Sequence, residues 1–202
     1  MIQYVNNSKS AVVVLHEIYG LNEHIEHVCK QLYELGFDVY APNMLRNSLT
    51  YKYSQEDLAY SNFVTNIGFE KAFWKIKLFL ENIKSNYNGV YILGFSVGAT
   101  IAWLLSENMN LCNGIVGIYG SKIRNFTSTN PSCPVLLVFA ADEKSFNVDD
   151  LIYELELKDG VEIKKYSGYH GFANPFSEHY QEESARKANL NILQFLLKLS
   201  EK

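Results

Sequence analysis

Cysteine, proline and arginine are all scarce in this sequence, and no apolar run is long enough to span a bilayer. The three cysteines, Cys29, Cys112 and Cys133, are odd in number and widely spaced in apolar contexts. They exclude a disulfide framework and a zinc site of regular ligand spacing, and read as buried thiols. Arginine occurs only at Arg46, Arg124 and Arg186, so bidentate clamps for carboxylate or phosphate are few. An excess of basic charge is missing too. The net charge of −4 argues against a nucleic-acid partner, which needs a clustered basic surface. No stretch approaches the ~20 apolar residues of a membrane span. The first residues, MIQYVNNSKS, lack a basic-then-apolar leader pattern. The expectation is a cytoplasmic protein with no membrane partner. Neither G-x-G-x-x-G nor a P-loop nor a histidine–cysteine cluster occurs, so no cofactor or metal is expected.

What is present fits a globule with a sizeable core. Hydrophobic residues make up 48% and charged residues 20% of 202 positions, which predicts one domain over 1–202. Short β-branched runs alternate with amphipathic stretches. Strands are expected at 11–17, 37–41, 89–94, 114–119, 134–140 and 161–166, with residues 2–5 as one small extra strand. Helices are expected at 22–35, 55–66, 69–86, 96–108, 148–157 and about 178–200. Residues 43–53 show no period and read as a surface excursion. Strands separated by helices imply parallel crossovers and a mostly parallel sheet of six to seven strands, covered by helices on both faces. In such sheets a site lies beyond the carboxyl ends of the strands. His16, Glu17, Ser96, Tyr119, Asp142 and His170 all fall there.

The segment Gly94-Phe-Ser-Val-Gly98 has the form G-x-S-x-G, between a predicted strand and a predicted helix. That is the context a nucleophile elbow needs. A serine hydroxyl becomes a good nucleophile only when a base takes its proton. Asp142 follows one later strand and His170 the last, so the order is Ser, Asp, His, as in the α/β-hydrolase fold. Asp142 could instead cap the next helix, and Glu143 is its adjacent rival for the acid role. Of the other histidines, His24, His27 and His179 are expected on polar helix faces, and His16 is the one competitor of His170.

Together these residues resemble the dienelactone hydrolase family of the α/β-hydrolase fold. The matching segments are H16-E-I-Y-G-L21, L35-G-F-D-V-Y-A-P42, G94-F-S-V-G98, I118-Y-G120, A141-D142 and Y166-S-G-Y-H-G-F-A-N174. The resemblance implies Ser96 as nucleophile, Asp142 and His170 as partners, and the Ile18 and Val97 amides as oxyanion hole. It places Glu17 beside the nucleophile, in a supporting role, and Tyr19, Phe95, Tyr119 and Phe172 around the substrate. The name-giving enzymes carry cysteine where Ser96 stands, and a carboxylate-binding arginine where Asn174 stands. A dianionic dienelactone is therefore not the expected substrate, unless Arg46 or Arg124 substitutes from a loop. A charged Glu17 would oppose the oxyanion. Two like charges ~5 Å apart at an effective dielectric of ~20 cost about 3 kcal/mol. Glu17 is thus expected either hydrogen-bonded away from the hole or protonated.

The activity expected is hydrolysis of a small ester through an acyl-enzyme. Thioesters and lactones are alternative substrates, and a non-catalytic ligand- or partner-binding role is the alternative of another class. The oligomeric state is left open. Residues 43–68 are expected to cover the site.

Overall fold

The computed structural model describes residues 1–46 and 49–201. Asn47 and Ser48, within the expected surface excursion, lie outside the described residues. Seven strands form one sheet: β1 (Ile2–Tyr4), β2 (Ser10–Leu15), β3 (Asp38–Ala41), β4 (Gly89–Phe95), β5 (Gly114–Ile118), β6 (Val135–Asp142) and β7 (Val161–Tyr169). Their order is β1-β3-β2-β4-β5-β6-β7. Only β1 is antiparallel to its neighbour. Every residue of β4 is buried, as a parallel strand covered on both faces requires.

The helices are α1 (Glu23–Glu34), α2 (Glu56–Asn62), α3 (Gly68–Ile83), α4 (Val97–Leu105), α5 (Val148–Leu155) and α6 (Glu182–Ser200). Side chains alternate across each strand, and this splits the core in two. Val13, Leu15 and Ile92 pack with α3, α4 and α5. Val12, Val14, Tyr91, Leu93 and Phe95 face α1 and α6 on the other side.

Several boundaries differ from the sequence expectation, the following most consequentially. The closing helix starts at Glu182, not near 178, because 171–181 fold as turns. A π-helical turn, Phe63–Ile67, joins α2 to α3 at Gly68, whose φ of +68° suits glycine. Strands β6 and β7 run on to Asp142 and Tyr169, with a register shift between Ala140 and Asp142. That bulge decides which acid reaches the site. No helix among the described residues is long and apolar enough to cross a membrane.

Candidate active site

Ser96 stands between β4 and α4 with φ 54° and ψ −113°, a backbone conformation that costs a non-glycine residue energy. Its neighbours make the turn possible. A Cβ on Gly94 would collide with the Gly98 carbonyl, and one on Gly98 with the Leu15 carbonyl of β2. Glycine at both flanks lets the helix start directly against the strands. The Ser96 amide donates to the Ile118 carbonyl at 2.9 Å, tying the elbow to β5.

His170 follows β7 and reaches Ser96: its Nε2 lies 3.0 Å from the serine Oγ. On the other side of the ring, Nδ1 lies 2.8 Å from Glu143 Oε1. The structure does not bring the expected acid, Asp142, into contact with His170, although Asp142 borders the same cavity as Ser96. It is still in β6, paired with Tyr169, and its side chain is exposed. The bulge between Ala140 and Asp142 extends the strand, so Glu143 is the first residue past it. The Glu143 side chain is 6% exposed, while that of His170 is 37% exposed and faces the cavity. Burial pulls the His170 pKa down. The hydrogen bond and charge of Glu143, helped by Glu17 and Glu56, outweigh it and leave the value above 6.5.

Ile18 and Val97 border the same cavity as Ser96, where an oxyanion hole would be needed. Val97 opens α4, so its N–H has no intrahelical partner. Among the described residues no backbone carbonyl accepts from either amide.

Glu17 is 5% exposed, and its Oε2 is 3.7 Å from His24 Nδ1. Burial raises its pKa, but His24, His170 and Tyr119 outweigh burial and hold the group below 4.5. That direction runs against the protonated form, one of the two expectations. The other expectation, a hydrogen bond away from the hole, is not met at Oε2: among the described residues Glu17 Oε2, His24 Nδ1 and the Tyr119 hydroxyl are each buried without a hydrogen-bond partner.

Of the four expected substrate-contacting aromatics, only Tyr19 borders the cavity, which has a volume of about 300 Å³. Phe95 points to the other face of the sheet, because alternation along β4 sends it toward α1 and α6. There it lines an apolar groove with Leu32, Leu93 and Leu196. Tyr119 and Phe172 are fully buried in the same core half. The Tyr119 ring lies 4.9 Å from the His170 ring and 6.1 Å from Phe172, so the pair forms a platform under the histidine.

The histidine expectations also change. His24 is buried at 1% exposure, its ring 4.6 Å from Phe95, although a polar helix face was expected. His179 sits in a turn that borders the cavity, not on a helix. His16 is fully buried. Its Nε2 accepts from the Met44 amide at 2.8 Å and its Nδ1 donates to the Glu17 carbonyl at 2.6 Å. Burial lowers its pKa to about 4, so it is neutral and already satisfied.

The sequence reading missed Tyr53, Glu56 and Tyr60 as cavity residues. Their signal was the aperiodic stretch expected to cover the site. Neither Arg46 nor Arg124 borders the cavity among the described residues. Arg124 donates to the Ser121 carbonyl and lies 4.7 Å over the Phe146 ring. At the expected arginine position, Asn174 is 1% exposed and donates to the Tyr53 hydroxyl at 2.6 Å.

Comparisons with known proteins agree with this fold. The family model described as the dienelactone hydrolase family matches residues 2–200. An uncharacterized protein of Bacillus subtilis (strain 168), YczH, is 37% identical over 176 residues, which is 85% of each chain. A protein of Saccharolobus solfataricus with the provisional name carboxymethylenebutenolidase is 22% identical over 96% of this chain and 91% of its own. Among solved structures, a dienelactone hydrolase-like promiscuous phosphotriesterase, P91, from metagenomic libraries superposes with a TM-score of 0.77. That match has 16% identity and covers 96% of this chain and 88% of the other, a likeness of fold. The chain belongs to the dienelactone hydrolase family, a family of ester-bond hydrolases.

Proposed function

We propose that the protein is a serine hydrolase of small esters, with Ser96 as nucleophile, His170 as base and Glu143 as the acid that orients it. The observation that carries this reading is the unbroken contact chain Ser96–His170–Glu143, at 3.0 and 2.8 Å, on the border of the cavity. The Nδ1 proton of His170 donates to the Glu143 carboxylate, which leaves Nε2 free to accept from Ser96. Ser96 Oγ attacks the carbonyl carbon as its proton passes to Nε2. The negative oxygen is received by the Val97 and Ile18 N–H groups, each such donor supplying typically ~10²–10³ in rate. His170 then protonates the leaving alkoxide. Water, deprotonated by the same ring, releases the acid from the acyl-enzyme.

Ester, thioester and lactone carbonyls offer Ser96 the same electrophile, and a cavity of about 300 Å³ favours a small molecule among them. The net charge of −4 and a cavity border on which Glu17, Glu56, Asp142, Glu143 and Glu178 outnumber Lys122 and Lys144 support an uncharged substrate over a dianion or a nucleic acid.

A fluorophosphonate should label the wild type at Ser96, and Ser96→Ala should abolish the label. The same substitution should lower turnover of p-nitrophenyl butyrate about 10⁴-fold or more. A wild type that neither takes the label nor hydrolyses the ester would sink the proposal.

A further inference from the structure

Hydrogen-bond accounting on one wall of the cavity leaves one donor without an acceptor. Asn22 is the N-cap of α1, and its Oδ1 accepts from the Ile25 amide at 3.2 Å. That bond fixes the orientation of the side-chain amide, so Nδ2 is the atom turned to the Tyr53 hydroxyl, 3.0 Å away. Asn174 is held in the same way. Its Oδ1 accepts from the Phe176 amide at 2.9 Å, and its Nδ2 donates to the same hydroxyl at 2.6 Å. A phenol oxygen that accepts two N–H bonds has its own proton left to give. Among the described residues no protein acceptor receives that proton. Tyr53 borders the cavity together with Ser96 and His170. Burial pushes its pKa up to about 12, so the proton stays in place across the working pH range.

We infer that Tyr53 is a specificity-determining hydrogen-bond donor, aimed by Asn22 and Asn174, for an uncharged oxygen of the substrate: an ether, hydroxyl or carbonyl other than the scissile one. The surrounding charges select against a carboxylate here. Glu17 and Glu23 act on the Tyr53 phenol. Glu56, Glu17 and Glu178 act on Tyr19, whose ring meets that of Tyr53 edge-on at 4.7 Å. The two lysines that border the cavity, Lys122 and Lys144, come instead from the segments after β5 and β6. The two amides serve Tyr53 as Glu143 serves His170, by fixing where a proton points.

The inference rests on the hydrolase reading above, and its test separates the two. p-Nitrophenyl methoxyacetate matches the butyrate in chain length but carries an ether oxygen; 3-methoxypropanoate and pentanoate form a second pair. p-Nitrophenyl hydrogen succinate supplies a carboxylate. With each kcat/KM divided by the ester's alkaline hydrolysis rate, the wild type should favour one ether ester over its hydrocarbon match by about 10-fold, the scale of one hydrogen bond. The succinate should be the poorest substrate. Tyr53→Phe should bring the ratio to about 1. The loss should fall on the ether esters, with fluorophosphonate labelling of the variant reporting that the nucleophile still reacts. Asn22→Asp should also erase the preference. It keeps the helix cap but turns the phenol proton onto the new carboxylate, so the test stands even where Tyr53→Phe does not fold. Ratios unchanged by both substitutions, or equal for ether and hydrocarbon in the wild type, with labelling intact, overturn the Tyr53 assignment and leave the hydrolase standing. A wild type without label or turnover overturns the hydrolase reading, and the Tyr53 assignment falls with it.

Discussion

The segments that follow β2 and β7 each carry a histidine at the same rim of the sheet, yet the two rings have opposite chemistry. His16 gives both nitrogens to the backbone, one to the Glu17 carbonyl and one to the Met44 amide. It is fully buried, and burial lowers its pKa to about 4. His170 gives one nitrogen to a carboxylate and the other to a hydroxyl, and its pKa lies above 6.5 despite burial. Position at a strand end does not make a histidine a base. A charged partner behind the ring, a proton donor in front and an open side do.

The largest change to that contrast should come from Glu143→Gln. Loss of the carboxylate behind His170 should lower kcat about 10²–10⁴-fold, because the imidazolium of the transition state loses its counter-charge. The pH profile supplies a second readout. The base works when neutral, so kcat/KM in the wild type should rise with pH through an inflection above 6.5. In Glu143→Gln the cause of the upward shift is gone and burial remains, so the inflection should move down. An inflection that stays in place would remove Glu143 from this role.

A smaller effect is expected at His16. His16→Phe should destabilise the fold by about 1–3 kcal/mol at neutral pH, because the Met44 N–H loses its acceptor in the core. The pH profile of turnover should keep its inflection. The stability deficit should shrink as pH falls. A histidine held neutral in the folded state, at a pKa of about 4, leaves the unfolded chain binding more protons between 6.5 and that value. Wild-type stability therefore drops over that window, and the phenylalanine variant lacks this loss. Chemical denaturation at pH 7 and pH 4 measures it. His170, with its raised pKa, tilts stability the other way: its contribution is full below 6.5 and is lost as pH rises through the folded value.

The smallest effect belongs to Asp142→Asn. An exposed carboxylate with no part in the His170 contact should change kcat/KM by no more than about twofold. A loss matching that of Glu143→Gln would return the acid role to Asp142.

The strand–helix alternation, the glycine-flanked turn at Ser96 and a histidine just past the last strand were legible in the sequence, because each is a local pattern. Gly94 and Gly98 mark a turn that tolerates no side chain, and the continuous apolar run of β4 marks a strand buried on both faces. Most departures at the site were questions of which way a side chain points. Asp142 and Glu143 are adjacent carboxylates, and a bulge that sequence pattern does not reveal turned one outward and the other in. Phe95 sits beside the nucleophile in sequence, yet the pleat sends it to the opposite core half. His24 belongs to the stripe of Ile25 and Cys29 only because α1 lies over Phe95.

By itself, then, the sequence determined the frame: a parallel sheet, a serine held in a strained turn between β4 and α4, and a histidine beyond the last strand. These follow from periodicity and from the steric demands of glycine, which act over a few residues. Only the tertiary structure decided that Glu143 and not Asp142 contacts His170, that both nitrogens of His16 are taken by the backbone, and that two asparagines 152 positions apart donate to one phenol. Such choices depend on hydrogen-bond partners brought from distant segments. A polar group's chemistry is set by what is packed against it, and packing is not a local property.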